Sequence, residues 1–311
     1  MNSPRIAVLV PCYNEEKPIA SVVSDFRAAL PHAQIYVYDN NSQDRTVELA
    51  RAAGAVVRIE PQQGKGNVVR RMFADIEADA YVLVDGDNTY EAGAAPKLVQ
   101  ALLEQNLDMV TGVRVTEQKA AYRAGHRFGN WLLTGMVGSI FGRRTGDMLS
   151  GYRVFSRRFV KSFPALSRGF EIETEFTVHA LELRMPIADV ETVYVERLPG
   201  SESKLSTVRD GVRILRMIVS LVKEERPLQF FGLLAAALFL LGIGLGYPVV
   251  AEFARTGLVP RFPTAILASA IMVIGVLCFF CGLILDSVTL GRRENKRLAY
   301  LSYISPRPIE R

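Results

Sequence analysis

Two long runs of uncharged residues near the carboxyl end constrain this chain more than any other feature. Residues 228–251 and 264–285 contain no Asp, Glu, Lys or Arg. Each run is long enough to cross a hydrocarbon layer as an α-helix, and a soluble core helix rarely stays uncharged over that length. The connecting segment 252–263 is short. We therefore expect two membrane spans, at about 228–251 and 264–286, that form a helical hairpin within residues 227–290.

Basic residues flank the two runs unevenly and predict their orientation. Lys223 and Arg226 precede the first run, four basic residues follow the second, and the connecting segment holds only Arg255 and Arg261. Positive charge favours the cytoplasmic side of a membrane. We therefore expect a multi-pass protein of the cell (inner, cytoplasmic) membrane, with the large amino-terminal domain and a tail at 291–311 in the cytoplasm. The amino terminus shows no signal-peptide pattern.

The first two-thirds of the chain alternates strand-like and helix-like segments. The strand candidates are 6–11, 35–38, 56–59, 80–84 and 109–113. The helical candidates between them are 19–30, 45–53, 67–78 and 96–105. This alternation predicts an α/β fold, a mostly parallel sheet with helices on both faces, in a domain at 1–206.

Two later segments combine an apolar helical face with basic residues. The first covers about 123–144, and the second covers 207–226, directly before the first uncharged run. A basic amphipathic helix beside a membrane span is typical of an element that lies in the lipid interface. The alternative for both segments is that the apolar face packs in the protein core and the basic face is solvated. For 207–226, the position directly before a membrane span favours the lipid interface.

Two carboxylates follow the apolar strand candidate at 80–84. Asp85 and Asp87 flank Gly86 at the end of that strand, and ligands of open α/β sheets bind beside the carboxyl ends of strands. Such a pair suits a hard divalent cation, which in turn binds a diphosphate. The alternative is two solvated acids in a turn.

Three other polar loops fall at the same predicted edge of the sheet, at 11–16, 39–46 and 63–67. Asp and Asn are common turn and cap residues, which accounts for each loop singly but not for their convergence. Lys65, between two glycines, suits a phosphate or ribose contact, without the spacing of a P-loop or a dinucleotide fingerprint. The formal net charge of +5 fits an anionic membrane face or phosphate ligands, and no nucleic-acid module is present to indicate a nucleic-acid partner.

Together these loops resemble the family 2 glycosyltransferases of the GT-A fold. The segments 147–155, 169–171 and 197–204 are further similar to the polyprenyl-phosphate glycosyltransferases. That group includes dolichyl-phosphate mannose synthase and the bacterial enzymes that make undecaprenyl-phosphate glucose. The resemblance covers roughly residues 5–215, and the pair of carboxyl-terminal spans matches the bacterial and archaeal members.

The resemblance implies a role for each matching position. Pro11, Tyr13, Glu15 and Asp39 are implied at the base and ribose of the donor. Asp85 and Asp87 are implied at the diphosphate, with Arg197 and Lys204 closing over it. Lys65 and Gly86 complete the expected donor-binding residues. Asp85 and Asp87 would hold Mg²⁺ or Mn²⁺. The residues implied at the acceptor phosphate are Arg114, Arg123 and Arg127.

Asp87, Arg127 and Asp147 are the implied catalytic residues, although Asp147 is equally explained as a structural residue rather than one that orients the acceptor or acts as a base. The mannose synthases carry a Gln two residues beyond the second Asp, where this chain has Thr89. That departure puts both the metal geometry and mannose as the sugar in doubt.

The acceptor's chemistry predicts the mechanism. A phosphate monoester has a second pKa of about 6, so its dianion attacks the anomeric carbon without a strong base. We expect one in-line displacement that inverts the anomeric centre, with a cation and arginines stabilising the departing nucleoside diphosphate. The donor favoured is UDP-glucose or UDP-N-acetylglucosamine, with GDP-mannose as the alternative, and the product would serve glycan or cell-envelope assembly.

The expected partners are the nucleotide sugar, a polyprenyl (undecaprenyl or dolichyl) phosphate and the lipid bilayer. Gly242, Gly244 and Gly246 permit close helix packing, and the resemblance suggests a homo-oligomer assembled through the spans.

Two other functions compete with the predicted glycosyl transfer to a polyprenyl phosphate. A processive polysaccharide synthase would carry Gln-x-x-Arg-Trp, but the only tryptophan, Trp131, follows Asn130. A non-catalytic scaffold that binds nucleotide sugars is the other.

Overall fold

The computed structural model of the protein describes residues 3–115, 135, 137–138, 146–167, 169, 171–195, 219–220 and 222–304. The chain divides into two compact units. The first comprises Met1–Ile214 and Asn295–Arg311, and the second comprises Leu215–Glu294. Most of the predicted amphipathic segment 123–144, and residues 207–218 of the second, lie outside the described residues.

The described part of the first unit forms one seven-stranded sheet. Its strands are β1 Ile6–Cys12, β2 Gln34–Asp39, β3 Val56–Ile59, β4 Ala80–Leu83, β5 Met109–Val115, β6 Arg153–Ser156 and β7 Ile187–Val193. Their order is β3-β2-β1-β4-β6-β5-β7. Strand β6 runs antiparallel to β4 and β5, and the other neighbours pair in parallel. The mostly parallel α/β fold is therefore confirmed.

The five predicted strands are all present, with ends displaced by no more than two residues. The sequence patterns did not reveal β6 and β7. Strand β6 has only four residues, and one of them is the fully buried Arg153, so its apolar pattern is interrupted by a charge. Strand β7 lies at the edge of the sheet and carries Asp189 and Glu191, which weakens its strand signature.

Six α-helices accompany the sheet in the described residues. They are α1 Ile19–Ala29, α2 Thr46–Ala52, α3 Lys65–Asp75, α4 Ala95–Glu104, α5 Arg157–Ser162 and α6 Ile172–Glu182. The four predicted helices are confirmed, but α3 begins and ends earlier than the predicted 67–78. Gly64 has φ +130°, a conformation that glycine adopts readily, and it lets the helix begin directly at Lys65.

Side chains that alternate along the central strands build a core on each face of the sheet. Tyr81 and Val82 of β4 are paired with Phe155 and Val154 of β6, and successive strand residues point to opposite faces. Val82 and Val154 belong to the cluster that includes the apolar faces of α1 and α4. Phe155 packs with aromatic residues of α3, α5 and α6. Helices therefore cover both faces, as predicted.

The second unit contains two long apolar helices, α7 Pro227–Thr256 and α8 Phe262–Leu301. Both are long and apolar enough to cross a membrane, judged by length and composition. A side chain added at Gly242 would meet Met272, and one at Gly282 would meet Phe231. The two helices therefore pack as an antiparallel hairpin. Of the three predicted packing glycines, Gly244 has open space around it.

Helix α8 continues past the second unit, and its last residues, from Asn295 onward, belong to the first. Lys296 Nζ lies 2.6 Å from Glu182 Oε2, and the Glu182 side chain is fully buried. Tyr300 Oη donates to Asp108 Oδ2 at 2.8 Å, and the guanidinium of Arg158 pairs with both oxygens of the same carboxylate. These contacts attach residues 295–301 of α8 to the rest of the first unit through two buried acids.

We expect Tyr300→Phe to lower the free energy of unfolding of the first unit by about 1.5 kcal/mol, the usual worth of a hydrogen bond to a charged group. Burial and the carboxylate of Asp108 raise the pKa of Tyr300 to about 12, so its hydroxyl stays a donor. Thermal unfolding of the detergent-solubilised chain measures the effect. Tyr303→Phe is the matched control, because the ring of Tyr303 contacts Arg157. Equal stability of the two variants would contradict the role of the hydroxyl.

Candidate functional site

The four polar loops predicted to converge do meet at one edge of the sheet. Strands β1 and β2 end side by side, with Cys12 paired with Asp39. The loop after β1 is bonded to the loop after β2, because Asn14 N donates to Ser42 Oγ at 2.8 Å and Glu15 N donates to Thr46 Oγ1 at 2.9 Å. Hydrogen bonds, and not only proximity, therefore join the first two loops.

The loop at 63–67, directly before α3, is bonded to the loop after β2 and to the loop after β4. Gly64 N donates to Asn40 Oδ1 at 2.7 Å, which binds this loop to the one after β2. Lys65 Nζ lies 2.5 Å from Asp85 Oδ1, which binds it to the loop after β4. Pro11, Tyr13 and Glu15 are half-buried at the same edge. The structure thus brings all eight described donor-side residues of the sequence prediction into one linked set of loops.

Asp39 presents a buried acceptor atom. Its side chain is 3% exposed, and Oδ2 accepts a hydrogen bond from Ser42 N at 3.0 Å. The other oxygen, Oδ1, is buried and receives no hydrogen bond from any described residue. A buried polar atom without a partner costs free energy, so this oxygen is suited to accept an N–H from a ligand.

The Asp85-Gly86-Asp87 turn is closely packed against β1. A side chain at Gly86 would collide with Cys12 Sγ, so only glycine fits between the two acids. Thr89 donates to Asp87 Oδ1 twice, from its backbone N at 3.2 Å and from Oγ1 at 2.6 Å. Thr89, the departure from the mannose-synthase pattern, thus orients the Asp87 carboxylate.

Lys65 lies between two carboxylates. Its Nζ is 2.5 Å from Asp85 Oδ1 and 2.5 Å from Glu173 Oε1, and the Lys65 side chain is only 8% exposed. Burial alone would lower the pKa of Lys65, but the charges of Asp85 and Glu173 outweigh it and raise the pKa well above its usual value. The structure therefore places a permanent ammonium against Asp85. Sequence reasoning missed Glu173, because nothing in the pattern of α6 distinguishes it from Glu171 or Glu175.

Arg114 and Asp147 form a second buried ion pair. Arg114 donates to both carboxylate oxygens, with distances of 2.6 and 2.9 Å, and its guanidinium stacks on the ring of Tyr194. Burial tends to raise the pKa of Asp147, but the hydrogen bonds and charge of Arg114 hold it below its usual range. Asp147 is thus an ionised carboxylate that binds Arg114 and a weak proton acceptor.

The loop that carries Asp147 approaches Asp85 through Gly151. A side chain at Gly151 would collide with the Asp85 carboxylate, and Gly151 N donates to Tyr90 Oη at 2.9 Å. The fully buried Arg153 supports the same loop, because it donates to the carbonyl oxygens of Met148 and Ser150. Asp85 and Asp147 are therefore positioned by one short, tightly bonded segment.

The remaining predicted residues, Arg123, Arg127, Arg197 and Lys204, lie outside the described residues. Among the residues that are described, no group of three or more His, Cys, Asp or Glu side chains could hold a metal ion alone. Asp85 and Asp87 nevertheless offer the hard oxygen ligands that Mg²⁺ and Mn²⁺ prefer. These ions keep part of their shell for water and phosphate oxygens, so two carboxylates fit the predicted cation.

Comparison with known proteins identifies one family and several similar proteins. The family described as Glycosyl transferase family 2 matches residues 7–163. Glycosyltransferase AglJ from Haloferax volcanii is 34% identical over 95% of this chain and 98% of its own length. The dolichyl-phosphate hexose transferase of the same organism is 29% identical over 71% of this chain and 95% of its own.

A solved structure shares the fold. Glucosyl-3-phosphoglycerate synthase from Mycobacterium tuberculosis, in complex with Mn²⁺, UDP-glucose and phosphoglyceric acid, aligns with a TM-score of 0.57 and 23% identity. The alignment covers 71% of this chain and 79% of that one. At this level of identity the similarity shows a GT-A-like fold.

We expect the stability contributed by the Arg114–Asp147 pair to depend on pH. The folded-state pKa of Asp147 lies below the unfolded value near 3.8, so the contribution is present above that value and is lost as pH falls through the folded pKa. At pH 7, Asp147→Asn should cost about 3 kcal/mol, because it removes the charged partner of a mostly buried ion pair. Unfolding measured from pH 7 to pH 3 should show this difference shrinking below about pH 4. A difference that stays constant would contradict the charge-based account.

Proposed function

The chain belongs to glycosyltransferase family 2, and we propose that it transfers a hexose from a nucleoside diphosphate sugar to a membrane polyprenyl phosphate. One observation supports this proposal above the others. Asp39, Asp85, Asp87 and the Arg114–Asp147 pair lie at one edge of the sheet, in loops that hydrogen bonds join. The acceptor class is supported by the relative named dolichyl-phosphate hexose transferase. The product would be a polyprenyl-phosphate sugar for glycan or cell-envelope assembly.

The geometry at Asp39 favours a uracil base in the donor. Among the described residues, Ser42 N donates to Oδ2 of Asp39 and no group donates to Oδ1. Uracil presents one N–H donor on its base-pairing edge, whereas guanine presents both an N–H and an NH₂ group there. One open acceptor atom matches the single donor of uracil. We therefore prefer UDP-glucose or UDP-N-acetylglucosamine as the donor, over GDP-mannose.

Asp85 and Asp87 would hold Mg²⁺ or Mn²⁺. When bound, the cation neutralises charge on the donor diphosphate and so makes it a better leaving group. The protein supplies two carboxylates, and the diphosphate and water supply the rest of the shell. Thr89 fixes Asp87 in its orientation through two hydrogen bonds. By resemblance, Arg197 and Lys204 close over the same diphosphate.

The reaction needs little proton transfer from the protein. A polyprenyl phosphate oxygen, largely deprotonated at neutral pH because its second pKa is about 6, attacks the anomeric carbon while the bond to the diphosphate breaks on the opposite side. Inversion follows from this single displacement. Asp147 pairs with Arg114, so its role is to orient Arg114 toward the acceptor phosphate and not to act as a base. Arg123 and Arg127 would contribute the remaining positive charge.

The apolar hairpin fits the proposed lipid acceptor. Many of the large apolar side chains of α7 and α8 are exposed, such as Leu233 at 75% and Leu240 at 73%. An exposed apolar surface of this kind requires an apolar environment. We propose that α7 and α8 span the cell membrane, with the catalytic domain, the segment 207–226 and both termini on the cytoplasmic side, and that copies of the chain assemble through the spans.

Transfer assays with the full chain test this function. Purified protein in nanodiscs, with polyprenyl phosphate and Mn²⁺ or Mg²⁺, should move label from UDP-glucose or UDP-N-acetylglucosamine into an organic-phase product. Asp87→Asn should lower the rate at least 100-fold, a typical cost of losing one preorganised electrostatic group. This variant keeps an oxygen for Thr89 and removes only the charge.

The matched control is Asp25→Asn, whose carboxylate contacts Ser21 on the exposed face of α1 and should leave the rate unchanged. No transfer from any UDP-sugar or from GDP-mannose would overturn the enzyme assignment and favour a nucleotide-sugar-binding scaffold. Transfer from GDP-mannose alone would overturn the preference for uracil.

Gly151→Ala provides a second test of the site. The added methyl group would displace the Asp85 carboxylate, so we expect transfer to fall at least about 10-fold, consistent with a misplacement of the order of 1 Å. The control is Gly93→Ala, where the methyl group would meet only the Glu91 side chain at 3.4 Å. A Gly151→Ala variant as active as the control would show that the position of Asp85 is not critical.

A further inference from the structure

Lys65, Asp85 and Glu173 form a group of one basic and two acidic side chains. One ammonium lies at 2.5 Å from each of two carboxylates. The Lys65 and Glu173 side chains are 8% and 6% exposed, whereas Asp85 is 29% exposed. Asp85 is therefore the outward-facing member of the group.

The second carboxylate oxygen of Glu173 is not used in the contact with Lys65. Its Oε2 is buried and receives no hydrogen bond from any described residue. Buried carboxylate oxygens are normally paired, so Oε2 is an acceptor that no described donor uses. The other oxygen, Oε1, lies 2.5 Å from Lys65 Nζ, and this contact can remain when Asp85 binds another cation.

We propose that Glu173 is a positioning residue that frees Asp85 for a divalent cation by retaining Lys65 as its own counter-ion. This inference rests on the proposed function, because it takes Asp85 and Asp87 as the cation's ligands. Without Glu173, a cation on Asp85 would place a like charge beside the buried Lys65 ammonium after one of its two neighbouring carboxylates had been removed. Removing one partner of a buried ion pair is strongly unfavourable.

The proposal also explains why the helix that carries Glu173 matters to the site. Glu173 lies in the first turn of α6, and Lys65 is the first residue of α3. The two helices thus meet through one ammonium at the carboxyl end of β4. Glu173 touches Lys65 and not the proposed cation site, so it acts through its neighbour.

Mn²⁺ binding by the full chain in detergent, measured from the free Mn²⁺ signal in electron paramagnetic resonance, tests the proposal without requiring turnover. Glu173→Gln should weaken Mn²⁺ binding at least 10-fold, because the amide cannot compensate the ammonium. The double variant Lys65→Met/Glu173→Gln should return the dissociation constant to within about 3-fold of the wild type, because no buried ammonium remains to be balanced. Rescue of this kind is not expected of a residue that only supports the fold.

The matched control is Glu182→Gln, which removes a buried carboxylate from the same helix, where it pairs with Lys296 at 2.6 Å. Its Mn²⁺ affinity should equal that of the wild type. Unchanged affinity in Glu173→Gln, or a double variant as weak as the single one, would overturn the inference while leaving the proposed function intact. If Asp87→Asn binds Mn²⁺ as tightly as the wild type, the cation site itself is wrong and both proposals fail there.

Discussion

The parallel pairing of β1 with β2 and β4 is the constraint on which the rest of this structure depends. It sets the ends of three strands side by side, so the loops that follow them must share one edge. Polar backbone and side-chain groups in those loops then bond to one another, as Asn14 does with Ser42. Asp39 and Asp85, far apart along the chain, become parts of one surface. A site for a charged ligand at this edge is a consequence of the sheet.

Buried ion pairs determine which charged groups lie at that edge of the sheet. Lys65 balances Asp85 and Glu173, and Arg114 balances Asp147. Such pairs add little net stability compared with apolar packing, but removing one partner is costly. They therefore hold charges in specific places, which is what the proposed binding of two anionic phosphates requires. The pair at Asp108, which joins Arg158 and Tyr300, shows the same principle used to attach the end of α8.

Much of the first half of the fold could be predicted, because local patterns and tertiary structure agree there. The apolar runs and the glycine residues in the turns predicted the ends of these strands to within two residues. The region after β5 was harder, since β6 contains the buried Arg153 and β7 is a polar edge strand. Their pairing depends on neighbours distant in sequence. For the same reason, the polar loops indicated a ligand site, while the partners of Lys65 and Arg114 remained unknown.

The sequence by itself determined that the chain combines an α/β domain with two apolar helices, and that acidic loops follow its strands. Periodicity, charge and turn residues are local properties, so they can be read along the chain. Only the tertiary structure decided that Asp147 pairs with Arg114, that Thr89 orients Asp87, and that Glu173 lies beside Lys65. These contacts join residues from separate elements, and the energy of a buried charge depends on which partner the fold brings within hydrogen-bonding distance.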